Sequence, residues 1–109
     1  MQTSYFYKEF KNEKAVSISG KSPVGFIGRE YKKLAPKYWF FKKYKEDGDQ
    51  EFYTKQYEKE VLSLLDPKKV LEDLGEDAIL LCYEKEGFCH RHLVSKWLNE
   101  NGIQCTEKP

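Results

Sequence analysis

Apolar positions along the chain switch between short β-rich runs and stretches with helical spacing, which predicts strands separated by helices. Tyr5, Tyr7 and Phe10 mark an aromatic N-terminal strand, followed by a charged link from Lys11 to Lys14. Ala15 to Ser19 (AVSIS) is short, β-branched and ended by Gly20, as expected of a buried strand opening into the loop Gly20-Lys21-Ser22-Pro23-Val24-Gly25-Phe26. The glycines and the proline keep that loop out of regular helix. A short helix is predicted from Gly28 to Leu34, stopped before Pro36, because the residue preceding a proline is steered away from helical angles. Lys37 to Lys45 reads as a second helix, closed by Asp47-Gly48.

Beyond Asp49, a candidate N-cap, Tyr53, Tyr57, Val61, Leu64 and Leu65 form one apolar stripe of a third helix. Asp66-Pro67 restarts a helix whose buried face is Val70, Leu71 and Leu74, with Gly75 ending it. Asp77 to Tyr83 (DAILLCY) contains an unbroken apolar run, the mark of a central strand covered on both faces. A last helix follows, with Leu93, Val94, Trp97 and Leu98 on its buried side and Asn101-Gly102 at its end, and Ile103 to Cys105 reads as a final strand. The pattern predicts an α/β domain, a small three-layer sandwich with a mostly parallel sheet of about three to four strands.

A length of 109 residues suits one core, so residues 1–109 are read as a single domain. An aromatic content of 16% separates the chain from disordered sequences. A net charge of +1 removes any global field for nucleic acid and leaves only local patches to attract phosphate. No apolar run approaches the roughly 18 residues of a membrane span, and Met1 to Phe10 lacks the apolar core of a signal peptide. A cytoplasmic protein with no membrane partner is expected, its three cysteines free thiols in a reducing compartment.

Candidate chemistry gathers where the central strand turns into the last helix. Ligands of open α/β sheets bind outside the carboxyl ends of strands, where free backbone N–H groups and the helix dipole favour negative charge. Cys82 to Arg91 occupies that place. Stepping back four residues from Leu93/Val94 puts Cys89 and His90 on the sheet-facing side of the first turn, with Arg91 on the flank and His92 toward solvent. A cysteine at a helix start beside an arginine is a candidate thiolate nucleophile. Glu84 suits a general base, His90 a proton carrier, and Arg91 an anion clamp through two parallel hydrogen bonds. Ser19, Gly20, Lys21 and Ser22 join the same edge if their strand neighbours the central one. The ligand class these groups favour is a phosphate-bearing, nucleotide-like small molecule.

Each residue also has a plainer use. Cys82 in an apolar strand reads first as a small core residue. Cys89 and His90 can simply pack and hydrogen-bond at a helix start, and Glu84 and Arg91 can form an ordinary ion pair. Cys82, Glu84, Cys89, His90 and His92 are metal-ligand types, but C-x6-C-H matches no usual zinc spacing, so no metal is expected. Lys37-Tyr38-Trp39-Phe40-Phe41-Lys42-Lys43-Tyr44-Lys45 interleaves basic and aromatic groups, as single-stranded nucleic-acid binders do, although such a helix more often buries its rings and lets its lysines snorkel. A non-catalytic module that binds nucleic acid or protein through this helix or the same cleft is therefore the alternative.

The segment LLCYEKEGFCHRHLVSKWL, Leu80 to Leu98, resembles the signature of the domain-of-unknown-function 488 family, a strand ending in Cys-x-Glu followed by Cys-His-Arg and an amphipathic helix. Val16 to Ser19, Ser22-Pro23, Phe26 and the segment Tyr31 to Pro36 resemble its compact branch, so the likeness runs from about Ala15 to about Gly102. The resemblance implies a small α/β protein of bacteria, archaea or their viruses, with shared residues at Cys82, Glu84, Cys89, His90 and Arg91; it names no activity and leaves any cofactor unknown. Where the longer branch ends its second strand in an aspartate-arginine pair, this chain has Ser17, Ser19 and Lys21.

Overall fold

The computed structural model describes all residues from Met1 to Pro109. Five strands, β1 (Gln2–Tyr5), β2 (Ala15–Ser17), β3 (Arg29–Glu30), β4 (Ile79–Cys82) and β5 (Thr106–Glu107), form one sheet in the order β3-β2-β4-β1-β5, and every pairing is parallel. The helices are α1 (Phe6–Glu9), α2 (Tyr38–Asp47), α3 (Gln50–Glu60), α4 (Pro67–Leu74) and α5 (His90–Glu100), with 3-10 turns at Lys32–Leu34 and Leu62–Leu64. The DAILLCY run supplies the central strand as expected, and all four residues of β4 are buried.

Alternation along β2 and β4 sends side chains to two unequal layers. Val16, Ile18 and Leu80 face the main core with Tyr53, Tyr57, Val70, Leu74, Val94 and Leu98. Ala15, Ile79 and Leu81 face the other side, covered by Phe6 and Phe26. The third layer is thus the single turn of α1 with its adjoining loop. Capping follows the sequence: the Asp49 carboxylate accepts from the Phe52 N–H at 3.0 Å, Asp66 accepts from Lys68, and Gly48 closes α2 with φ 67°.

Four local expectations are corrected. Gly28–Leu34 is not a helix: Arg29 and Glu30 add a strand to the free edge of β2, and a 3-10 turn follows. Tertiary bonds override a stretch too short to be helical alone: Tyr31 N–H donates to the Ser17 carbonyl, and its hydroxyl to Asp73 at 2.7 Å. A Cβ at Gly28 would lie 3.0 Å from the Ala15 carbonyl, so this close approach needs glycine. The apolar stripe of α3 carries on through Val61 into the core, and Leu65 packs against it, but the chain tightens after Glu60 into a 3-10 turn, which advances more per residue, brings Leu62 inward and leaves Leu64 74% exposed. The first strand lies before the aromatic segment, with Thr3 and Ser4 buried and Tyr7 exposed. The last strand falls at Thr106–Glu107, after Cys105.

Candidate functional site

β2 and β4 are direct neighbours, so the loops that leave their carboxyl ends meet at one edge of the sheet. There a cavity of about 530 Å³ is lined by Ser19, Gly20 and Lys21 after β2, by Cys82, Tyr83 and Glu84 at the end of β4, by His90 of α5, and by Pro36, Tyr38, Phe41 and Lys45 from the α2 side. Five residues expected at the site therefore share one space, together with Cys82, which was expected in the core. Three others lie outside its wall. Ser22 is spent on Ser17 at 2.8 Å and Glu30 at 2.6 Å. Cys89, the N-cap of α5, lies behind His90 beside a smaller void. Arg91 is 1% exposed.

Arg91 is fully engaged within the protein. Its Nε and Nη2 donate to the Glu107 carboxylate at 3.0 to 3.2 Å, Nη1 donates to Cys82 Sγ at 3.3 Å and to the Glu84 carbonyl, and Nη2 reaches the Lys85 carbonyl at 3.3 Å. The guanidinium therefore shapes the turn after β4 and holds β5 to it. Glu107 also accepts from the Thr3 hydroxyl at 2.5 Å. Burial pushes its carboxyl up, but the bonds from Arg91 and Thr3 outweigh that, and the net pKa lies below the ordinary value.

His90 is buried, and its Nε2 lies 2.7 Å from the Ile18 carbonyl. Only a protonated Nε2 can bond a carbonyl, which leaves the lone pair on Nδ1. Burial pushes this imidazole down to about 4, with the Ile18 carbonyl and Glu84 pulling partly against it and Arg91 adding to the fall. It is neutral at physiological pH. Cys82 and Cys89 are paired as a disulfide across 7.1 Å between Cα atoms, and Cys105 alone is a free, buried thiol. Strand end and helix start bring these two sulfurs together, a proximity that a spacing of seven residues does not announce. These sulfurs and a His90 ring nitrogen lie within 4.8 Å of one another.

On the opposite wall, Lys45 Nζ lies 3.5 Å from Glu84. Tyr38, Phe41 and Tyr83 are 70%, 37% and 50% exposed, and the Tyr83 hydroxyl donates to the Lys21 carbonyl at 2.5 Å. Lys45, Tyr38 and Phe41 were not expected at this edge. Their signal lay in the aromatic-basic run: positions 38, 41 and 45 are three and four apart, on one face of α2.

The chain is thus a parallel α/β domain in which polar and aromatic groups converge at the carboxyl edge of its central strands. The chain belongs to the DUF488 family: residues 20–102 match the family model DUF488-N3a, described as the active DUF488-N3 subclade. Neither the curated proteins nor the solved structures include a match. No helix is long and apolar enough to cross a membrane.

Proposed function

We propose that the cavity at the carboxyl edge of β2 and β4 binds a phosphate-bearing, nucleotide-like small molecule and acts on it. The observation that carries this reading is the pairing, in one cavity of about 530 Å³, of exposed rings with two lysines, one from the loop after β2 and one from α2. Tyr38, Phe41 and Tyr83 offer faces for a planar base, and Lys21 and Lys45 offer charge for phosphate. Lys21 and Lys45 replace Arg91 as the anion-binding groups, since the guanidinium is committed to Glu107 and the 84–85 carbonyls. Glu84 is the general base in this scheme, placed at the strand end and paired with Lys45. His90 presents a neutral ring, and the description of the matched subclade as active supports turnover over a purely packing role.

Calorimetric titration with nucleoside mono-, di- and triphosphates tests this. Binding is expected, and Lys21→Ala and Tyr38→Ala should each weaken it about tenfold, the equivalent of about 1.4 kcal/mol. If no nucleotide binds, the reading is wrong. The alternative, a nucleic-acid or protein-binding module, draws on Tyr38 and Trp39, which α2 leaves 70% and 50% exposed beside its lysines. It predicts salt-sensitive binding of a single-stranded oligonucleotide that Trp39→Ala abolishes.

A further inference from the structure

We propose that Cys82, Cys89 and His90, with the cysteines reduced, form a three-ligand site for a thiophilic divalent metal ion, zinc in the first instance, in the wall of the cavity. Their donor atoms lie within 4.8 Å of one another, and all three residues are buried. Two thiolates and an imidazole form a soft set suited to zinc and poorly suited to magnesium or calcium.

Three features around the donors point the same way. The Ile18 carbonyl, 2.7 Å from His90 Nε2, fixes the proton there and leaves Nδ1 as the ligating nitrogen; metal-binding histidines commonly donate their second N–H to a carbonyl. Arg91 Nη1 donates to Cys82 Sγ at 3.3 Å, a bond that favours the thiolate. The Cα separation of 7.1 Å exceeds the roughly 4.4–6.8 Å usual for disulfides. Two zinc–sulfur bonds of about 2.3 Å at a tetrahedral angle hold sulfurs about 3.8 Å apart, so a shared metal suits the wider backbone spacing.

The C-x6-C-H spacing is uninformative because the donors sit on a strand end and a helix start, not on a knuckle. Three protein ligands leave a fourth position for water, the arrangement of catalytic zinc sites. Cys82 and His90 line the cavity that also holds Glu84, so a metal held by them would sit at the cavity wall. The proposal stands on these donors whether or not the cavity takes a nucleotide.

The test uses the full chain. A water-soluble phosphine with one water reduces the disulfide to two thiols and becomes the phosphine oxide; metal then binds as the thiol protons leave to solvent. After removal of the phosphine under argon, Co(II) is added and its thiolate charge-transfer absorption recorded; zinc per chain is measured by mass spectrometry. About one zinc per chain is expected. Cys82→Ser, Cys89→Ser and His90→Gln should each lower retained zinc at least about tenfold, and Cys105→Ser should retain it. A reduced wild-type chain that shows no cobalt–thiolate band and holds no stoichiometric zinc overturns the proposal, and this arm does not depend on any variant folding. Zinc retained undiminished by Cys82→Ser or by His90→Gln overturns it as well. Nucleotide titration reads a separate quantity, so either reading can fail alone.

Discussion

Glu107→Ala is the sharpest probe of how the site is held. It removes the carboxylate that faces Arg91 at 3.0 to 3.2 Å and leaves a guanidinium that is 1% exposed with only carbonyl and sulfur partners. Breaking a fully buried ion pair costs about 3–5 kcal/mol, mostly from the stranded charge. Glu107 is 40% exposed on its side chain, so water screens part of that loss. The Thr3 hydroxyl also loses its acceptor, at about 1 kcal/mol. Together these give about 2–3 kcal/mol, or a fall of about 10 °C in melting temperature for a domain of this size. Urea unfolding followed by far-ultraviolet circular dichroism at pH 7 measures it. Arg91→Met and the double variant complete a cycle with an expected coupling above about 1 kcal/mol. A coupling near zero, or a Glu107→Ala loss under about 0.5 kcal/mol, would refute the account of Arg91 as a paired, buried clamp.

Four further outcomes follow from the same structure. Because the Glu107 pKa is lowered in the folded state, its contribution is present above the unfolded carboxylate value of about 4.3 and disappears as pH falls through the lower folded one; the stability gap between wild type and Glu107→Gln should therefore be full at pH 6 and narrow below about pH 4 in unfolding titrations. Tyr57→Phe removes a buried bond to the Leu34 carbonyl and should cost about 1–2 kcal/mol by denaturant unfolding. Ser4→Ala should be neutral or stabilising by up to about 1 kcal/mol, since the Ser4 hydroxyl is buried without a partner; a clear loss of stability on denaturant unfolding would refute this. Asp49→Ala should cost about 1 kcal/mol through the lost cap on α3, read as a lower urea midpoint.

What could be read ahead of the structure was local. An apolar run between Asp77 and Tyr83, capping aspartates at 49 and 66 and the four-residue spacing of Leu93/Val94 to Trp97/Leu98 act within a few residues, so the central strand and the long helices were legible. β3 was not, because it exists only through pairing with β2, and β1 was not, because its buried Thr3 and Ser4 carry no apolar signal. Within the site, Glu84, His90 and the Ser19–Lys21 loop came together because strand ends carry their own positional meaning. The use of Arg91 was hidden in β5, sixteen residues along the chain, and the role of α2 in a fold-back that brings Lys45 to Glu84.

The strand order has a kinetic consequence. β1 is made first but pairs only with β4 and β5, whose residues begin at Ile79 and Thr106. Until Ile79 to Cys82 have left the ribosome, β2 has only the two residue pairs with β3, and β1 has no neighbour at all. The sheet cannot grow outward from its beginning; it closes around a strand synthesised late, at a high loop-closure cost. Every partly synthesised chain shorter than β4 therefore lacks the cavity, and every one shorter than Glu107 lacks the partner of Arg91. Refolding should accordingly show the turn after β4 gaining its native environment no earlier than β5 docks.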